Sequence, residues 1–250
     1  MINYEYPLTE RIRTFLRIED LFGRARHFLD RGDSHDHHVV LVTLFEILEV
    51  CSRAELKSEL LQELERDRQA MAAYRENEQA DQTKLAQVLA RIEQAQSDLL
   101  LAGKIGHHLR SNEWLMSIRQ RANLPGGVCE FDLPTYHRWL HYPPERRSAD
   151  MKSWIGPLLP IQEAAEVALG LLRDTGRAEP QIAVRGAYQK MMTGKVAQMV
   201  RISLPDSEPT VPETSANRYA LNIRFLLATD EPRPRTCETD VAFQLTLCGV

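Results

Sequence analysis

The sequence predicts an α+β fold with two parts: a mainly α-helical domain containing a long antiparallel helical hairpin, and an antiparallel β-domain formed mainly by the C-terminal third and joined by the N-terminal strand. Three observations lead there. From residue 9 to about 175, apolar residues recur at helical spacing. Beyond Gly176 the pattern changes to apolar alternation, with proline-rich connections between several of the runs. Residues 2–6, ahead of the first helix, also read as a strand. The expected boundaries are 8–175 for the helical domain, with a short strand near 128–131, and 176–250 for the β-domain, to which residues 1–7 contribute.

Each element has a local cause. Thr9 is a candidate cap for a first helix whose apolar side carries Ile12, Phe15, Leu16, Ile18, Leu21, Phe22 and Phe28. Residues 39–50 form a second, strongly apolar helix. Leu56, Leu60, Leu61, Leu64 and Met71 mark one long helix; Leu85, Val88, Leu89, Ile92, Ala95 and Leu99 mark the next at near-heptad spacing, which gives the hairpin a coiled-coil character. The polar stretch 76–82 joins them. A helix through Trp114, Leu115 and Ile118 follows the interruptions at Gly103 and Gly106. A further amphipathic stretch, 148–174, is broken near Pro157 and Pro160. Strand-like runs cover 182–188, 196–204, 219–227 and 241–247.

Residues 125–141 are the densest in special residue types. Pro125-Gly126-Gly127 breaks the preceding helix. Cys129 and Phe131 alternate with polar neighbours like a half-buried strand, Asp132 is placed to cap the next helix, and Pro134 suits its first turn. That helix carries His137, Trp139 and His141 around Arg138.

Composition narrows the function. With 250 residues, 43% hydrophobic and 26% charged, the chain can bury a substantial core. No apolar run approaches the roughly 20 residues of a membrane span, and the first residues lack the basic and apolar regions of a signal peptide, so a cytoplasmic protein is expected. Cys51, Cys129, Cys237 and Cys248 lie far apart without a CxxC pair, as in a protein with reduced thiols. A net charge of −4 argues against general nucleic-acid binding.

Two histidine clusters invite a metal reading. Asp33-Ser34-His35-Asp36-His37-His38 lies in an expected inter-helical turn, with no matching ligands at a diagnostic spacing. His137 and His141 have zincin spacing, but Arg138 stands where the catalytic glutamate is required. A metal-dependent hydrolase is therefore the weaker alternative, and no cofactor is expected. GxSxG, P-loop and GxGxxG patterns are missing.

The arginines carry the stronger signal. Arg13 and Arg17 are one helical turn apart, and Arg53 and Lys57 repeat that spacing. Arg110, Arg119 and Arg121 flank the Pro-Gly-Gly turn, and Arg218 and Arg224 would share one face of a regular strand. A nucleic-acid-associated adaptor using these arginines is the competing interaction hypothesis.

Taken together, Pro7-Leu8, Arg13-Thr14-Phe15-Leu16-Arg17-Ile18-Glu19, Glu59-Leu60-Leu61-Gln62-Glu63-Leu64, Ile105-Gly106, the 125–141 block and Ile223-Arg224-Phe225 resemble the ZapD family of bacterial cell-division proteins over essentially the whole chain. The resemblance implies a cytoplasmic, non-enzymatic homodimer at the division site. Such a protein binds the C-terminal tail of FtsZ, the tubulin-like GTPase of the division ring, and bundles its protofilaments, with no nucleic-acid or membrane partner. It implies a basic groove between two domains as the tail site. The matching positions are Arg13, Arg17, Arg53, His137 and Arg224. Arg218 is displaced by two residues inserted around Leu221 and Asn222. Glu113 stands where a family member can carry arginine, which removes one expected contact or moves the groove's edge towards Arg110.

Overall fold

The structure is a computed structural model and describes residues 1–77, 79, 81–192, 197–217, 219–228 and 235–249. The chain divides into two units: Met1–Arg13 with Leu169–Val250, and Thr14–Ala168. The second is therefore an insertion in the sequence of the first.

The inserted unit is helical. Helix α1 (Glu10–Leu29) begins where Thr9 Oγ1 accepts the Ile12 amide at 3.3 Å. Within this unit it buries Phe15, Ile18, Phe22 and Ala25, the spacing of one helical face. Helix α2 (Ser34–Val50) has apolar residues on most of its surface and is correspondingly buried at Val40, Leu41, Leu44, Phe45, Ile47 and Leu48. It starts earlier than the apolar run suggested. Asp33 accepts the His35 amide at 2.7 Å and caps it, so Ser34 to His38 are helical rather than a turn.

Helices α3 (Leu56–Ala72) and α4 (Gln82–Leu101) form the expected antiparallel hairpin. Leu56, Leu60 and Leu64 pack with Leu85, Leu89, Ile92, Ala95 and Leu99 as the buried seam. The Lys57 ammonium donates to the Leu100 and Ala102 carbonyls, at 3.2 and 2.6 Å, and ties the base. It thereby satisfies carbonyls that the last helical turn leaves without amide partners.

The short helices α5 (His107–Arg110) and α6 (Glu113–Ala122) follow. The expected strand at 128–131 does not form. Residues 123–132 are successive turns, closed by bonds such as Gly127 N to Leu124 O at 3.0 Å and Asp132 N to Cys129 O at 3.0 Å. These local bonds take up the amides that a ladder would need. Gly126 has φ +70°, and a Cβ on Gly127 would lie 2.3 Å from the Arg121 carbonyl oxygen, so both glycines are sterically required.

Helix α7 (Pro134–Leu140) starts with Pro134 as expected, but its cap is Leu133 without a side-chain bond. Asp132 instead accepts from Arg121 at 3.5 Å. The stretch 148–174 proves to be α8 (Pro144–Ile155), a 3-10 turn (Gly156–Leu158) and α9 (Leu159–Asp174), broken as the prolines predict. By length and composition this continuous helical run, 144–174, could cross a membrane, but half of its apolar window is buried inside the protein, as in a core helix.

The other unit is built from antiparallel strands. One sheet has the order β1-β4-β7-β2 and the other β3-β6-β5. The strands are β1 (Ile2–Pro7), β2 (Arg177–Ala183), β3 (Ala187–Met191), β4 (Met199–Leu204), β5 (Thr210–Ala216), β6 (Ala220–Leu227) and β7 (Val241–Cys248). Residues 182–188, read as one strand, are two strands in different sheets. The break is a turn in which Arg185 and Gly186 both have positive φ, the mark of a primed hairpin turn. Strand β5 lacks an apolar signature. It lies at a sheet edge, where Pro212 removes no ladder bond that an inner strand would need.

Inward residues of both sheets, including Val200, Ile202, Ile223, Phe225, Phe243 and Leu245, make one core. Strand β1 pairs with β4 in continuous register from Ile2↔Leu204 to Pro7↔Met199, so the N-terminal strand joins the β-sheet as expected. Beneath it, Glu5 accepts from Arg173 Nε at 2.9 Å and from Arg201 Nη2 at 2.8 Å. Burial pushes the Glu5 carboxyl pKa up. The hydrogen bonds and charges of Arg173 and Arg201 outweigh that effect and hold it below the usual carboxylate range.

Candidate functional site: basic residues of the helical unit

Two of the expected arginines, Arg17 and Arg53, share one face of α1 in the helical unit, and a third, Arg110, lies near the end of α2. Arg53, in the turn between α2 and α3, is exposed and donates through Nη1 to Thr14 Oγ1 at 2.7 Å. Thr14 lies on α1 three residues before Arg17, so Arg53 and Arg17 approach the same helical face. Arg17 is exposed and has no ion pair or side-chain hydrogen bond among the described residues. Arg110, exposed at the end of α5, is held against the end of α2. Its Nη1 donates to the Ile105 carbonyl at 2.7 Å, and a Cβ on Gly106 would meet both Arg110 Nη1 and Leu48. Its charge is also felt at Cys51, the C-cap of α2. Burial pushes that thiol up to about 12, and Arg110 opposes the shift.

The remaining expected positions are placed differently. Arg13 is on α1 one turn before Arg17, but in the strand-rich unit, and pairs with Glu10 at 3.0 Å. Arg224 is exposed on β6, opposite Glu213 of β5 and Ala187 of β3, with no ion pair among the described residues. Arg218 lies outside the described residues. Strand β6 keeps continuous register through Leu221 and Asn222, so no bulge marks an insertion there. Arg119 and Arg121 are engaged by Glu49 and Asp132. Glu113 sits in the first turn of α6 behind the Asn112 cap, where a negative charge complements the helix dipole.

His137 is exposed on α7, its ring centroid 4.5 Å from that of His141, whose Nδ1 bonds the His137 carbonyl oxygen at 2.9 Å. No hydrogen bond or ring contact joins His137 to Arg17, Arg53 or Arg110 among the described residues. Its helix is nevertheless firmly positioned. Arg147, only 4% exposed, reaches from α8 to the Leu140, Tyr142 and Gly32 carbonyls, and its Nε donates to His37 Nδ1 at 3.0 Å. Since Nδ1 must accept that bond, His37 is neutral. Burial and then the Arg147 charge lower its pKa in keeping with this. His38 shares a 2.6 Å hydrogen bond with Tyr136 of α7. The Asp33 to His38 segment is thus a helix cap and a buried clamp, not a solvated loop.

A helical unit inserted in the sequence of an antiparallel β-unit defines the class, an α+β protein of two units. The particular family emerges from comparison. The chain matches the ZapD cell division protein family over residues 16–224 and belongs to it. It is 55% identical over 249 residues to the cell division protein ZapD of Azoarcus sp. (strain BH72), covering 99% of each chain. The ZapD of Aromatoleum aromaticum is 52% identical over 251 residues, covering 100% of this chain and 98% of the relative. The ZapD of Chromobacterium violaceum is 51% identical over 250 residues, covering 99% of each.

Proposed function

We propose that this cell division protein acts without catalysis, in the cytoplasm at the division site, by binding the C-terminal tail of FtsZ and cross-linking FtsZ protofilaments as a homodimer. The observation that supports this reading is the approach of Arg53 to the face of α1 that carries Arg17, whose guanidinium is exposed and uncommitted among the described residues, with Arg110 near the end of α2. Arg13, His137, Arg218 and Arg224 are further proposed contacts for the tail, each taken from the family resemblance.

A flexible tail loses conformational freedom on docking, at a cost of about 2–5 kcal/mol. Charge-assisted hydrogen bonds to carboxylates offset that cost. Exposed arginines chiefly steer the encounter, because their field is screened over about 8–10 Å. A single site is accordingly weak. Two sites on a symmetric dimer, facing polymers that display many tails, raise avidity by about 10²–10⁴.

Light scattering of assembled FtsZ tests this directly. The signal should rise on adding the protein and should not rise with tail-deleted FtsZ. A rise that survives the deletion overturns tail capture, and a protein that sediments as a monomer while still bundling overturns bivalency.

A further inference from the structure

The chain has three tryptophans, and all of them line one open pocket in the helical unit. Trp114 of α6, Trp139 of α7 and Trp154 of α8 form a near-equilateral triangle with ring centroids 5.8–5.9 Å apart. The pocket measures about 500 Å³, within the range of functional ligand sites. No two of the three rings are parallel; they meet at 61°, 43° and 33°. The rings pack against one another and form the uneven floor of a cup, not a slit for a flat base.

The polar groups around the cup define what else the ligand carries. Trp114 Nε1 donates to Thr135 Oγ1 at 3.0 Å and Trp139 Nε1 to Asp150 Oδ2 at 2.9 Å, which fixes both rings. Trp154 is held through its carbonyl by His108, but its indole N–H has no acceptor among the described residues. Arg138 is exposed at the rim, without a side-chain partner among the described residues. Arg146 lies over the Tyr142 ring at 3.7 Å and forms no ion pair among the described residues. The rim thus offers two guanidinium groups and one indole donor, and lacks matching acceptors. A fixed aromatic floor beneath uncommitted donors is complementary to an aliphatic side chain flanked by carboxylates.

We propose that this cup is a docking site for an acidic peptide segment that lays an aliphatic anchor on the floor formed by Trp114, Trp139 and Trp154 and places carboxylates on Arg138 and Arg146. Nucleic acid fits less well, because the rings meet at 61°, 43° and 33° and offer no parallel pair to sandwich a base. None of the described residues assigned to FtsZ tail capture lines the cup, so the two readings fail independently.

Tryptophan emission of the full chain reports the site directly. The probe is the acetylated, amidated hexapeptide Glu-Asp-Leu-Leu-Asp-Glu, with the serine version Glu-Asp-Ser-Ser-Asp-Glu and an oligothymidylate as comparators. The leucine peptide should give a saturable change. Affinity should fall about tenfold or more in the double variant Arg138→Glu, Arg146→Glu, as expected for loss of charge-assisted contacts. The comparators should leave emission unchanged. Circular dichroism checks the fold, and the milder pair Arg138→Gln, Arg146→Gln decides the matter if the charge-reversed protein misfolds. No saturable change up to about 1 mM, equal binding of the serine peptide, undiminished binding by the variants, or preference for the oligothymidylate each overturns the proposal.

Discussion

The two units handle charge in opposite ways. The strand-rich unit gathers its partly buried charges into one compensated group, Glu5 between Arg173 and Arg201, and displays Arg224 on the outer face of a sheet. The helical unit buries a guanidinium, Arg147, with no carboxylate among its hydrogen-bond partners, using carbonyl oxygens and a neutral histidine instead. In the first, opposite charges cancel; in the second, dipoles solvate a cation. The difference teaches that a cationic side chain can position a site without neutralising its field, which leaves the charges nearby available to a partner.

Breaking the dipole clamp has the largest expected effect. Arg147→Ala leaves an imidazole and several carbonyls without their donor, and should lower unfolding free energy by about 3 kcal/mol. Loss of near-ultraviolet circular dichroism from the tryptophans should accompany it. A variant as stable as wild type would mean that water replaces the guanidinium without loss.

Glu5→Gln comes next, at about 2 kcal/mol, because it leaves two partly buried cations facing each other. The pH dependence sharpens the contrast between the units. Glu5 ionises more readily folded than unfolded. Its contribution is therefore complete above the ordinary carboxylate value of 4.5 and fades as pH falls through the lower folded value. His37 is harder to protonate folded than unfolded, so its unit loses stability earlier, as pH drops below the ordinary imidazole value of 6.5. Urea titrations across this range should show the wild-type midpoint falling below that value. A midpoint that stays flat down to the carboxylate range would refute the neutral clamp.

The smallest structural effect is expected at Arg17. Arg17→Glu should change stability by no more than about 0.5 kcal/mol while weakening FtsZ bundling in the scattering assay. A large fall in melting temperature would instead make Arg17 structural.

Much of the fold was legible in the sequence, because periodicity survives without tertiary context. The hairpin seam, the break near Pro157 and Pro160, and the N-terminal strand all obey local rules. Features that escaped depended on distant or competing contacts. Strand β5 was hidden by Pro212 and its polar neighbours, which only an edge position accommodates. Alternation at Cys129 and Phe131 suggested a strand, yet both side chains are exposed, Phe131 by 80%; turn bonds set by the glycines won. Thr14 carries no sequence signal as the seat of Arg53, since the two are 39 residues apart. The tryptophan cup joins three helices in the same unforeseeable way. Residues 125–141 contribute Trp139 and Arg138 to that cup, and no strand.

Because β1 pairs with β4 and β4 in turn with β7, the strand-rich unit cannot close its first sheet until the ribosome has made the whole inserted helical unit and the chain as far as Cys248. Helices dominated by local contacts form faster than long-range ladders. The helical unit can therefore mature on the nascent chain while the opening strand waits unpaired, an interval in which its backbone edge is open to a chaperone or to another chain.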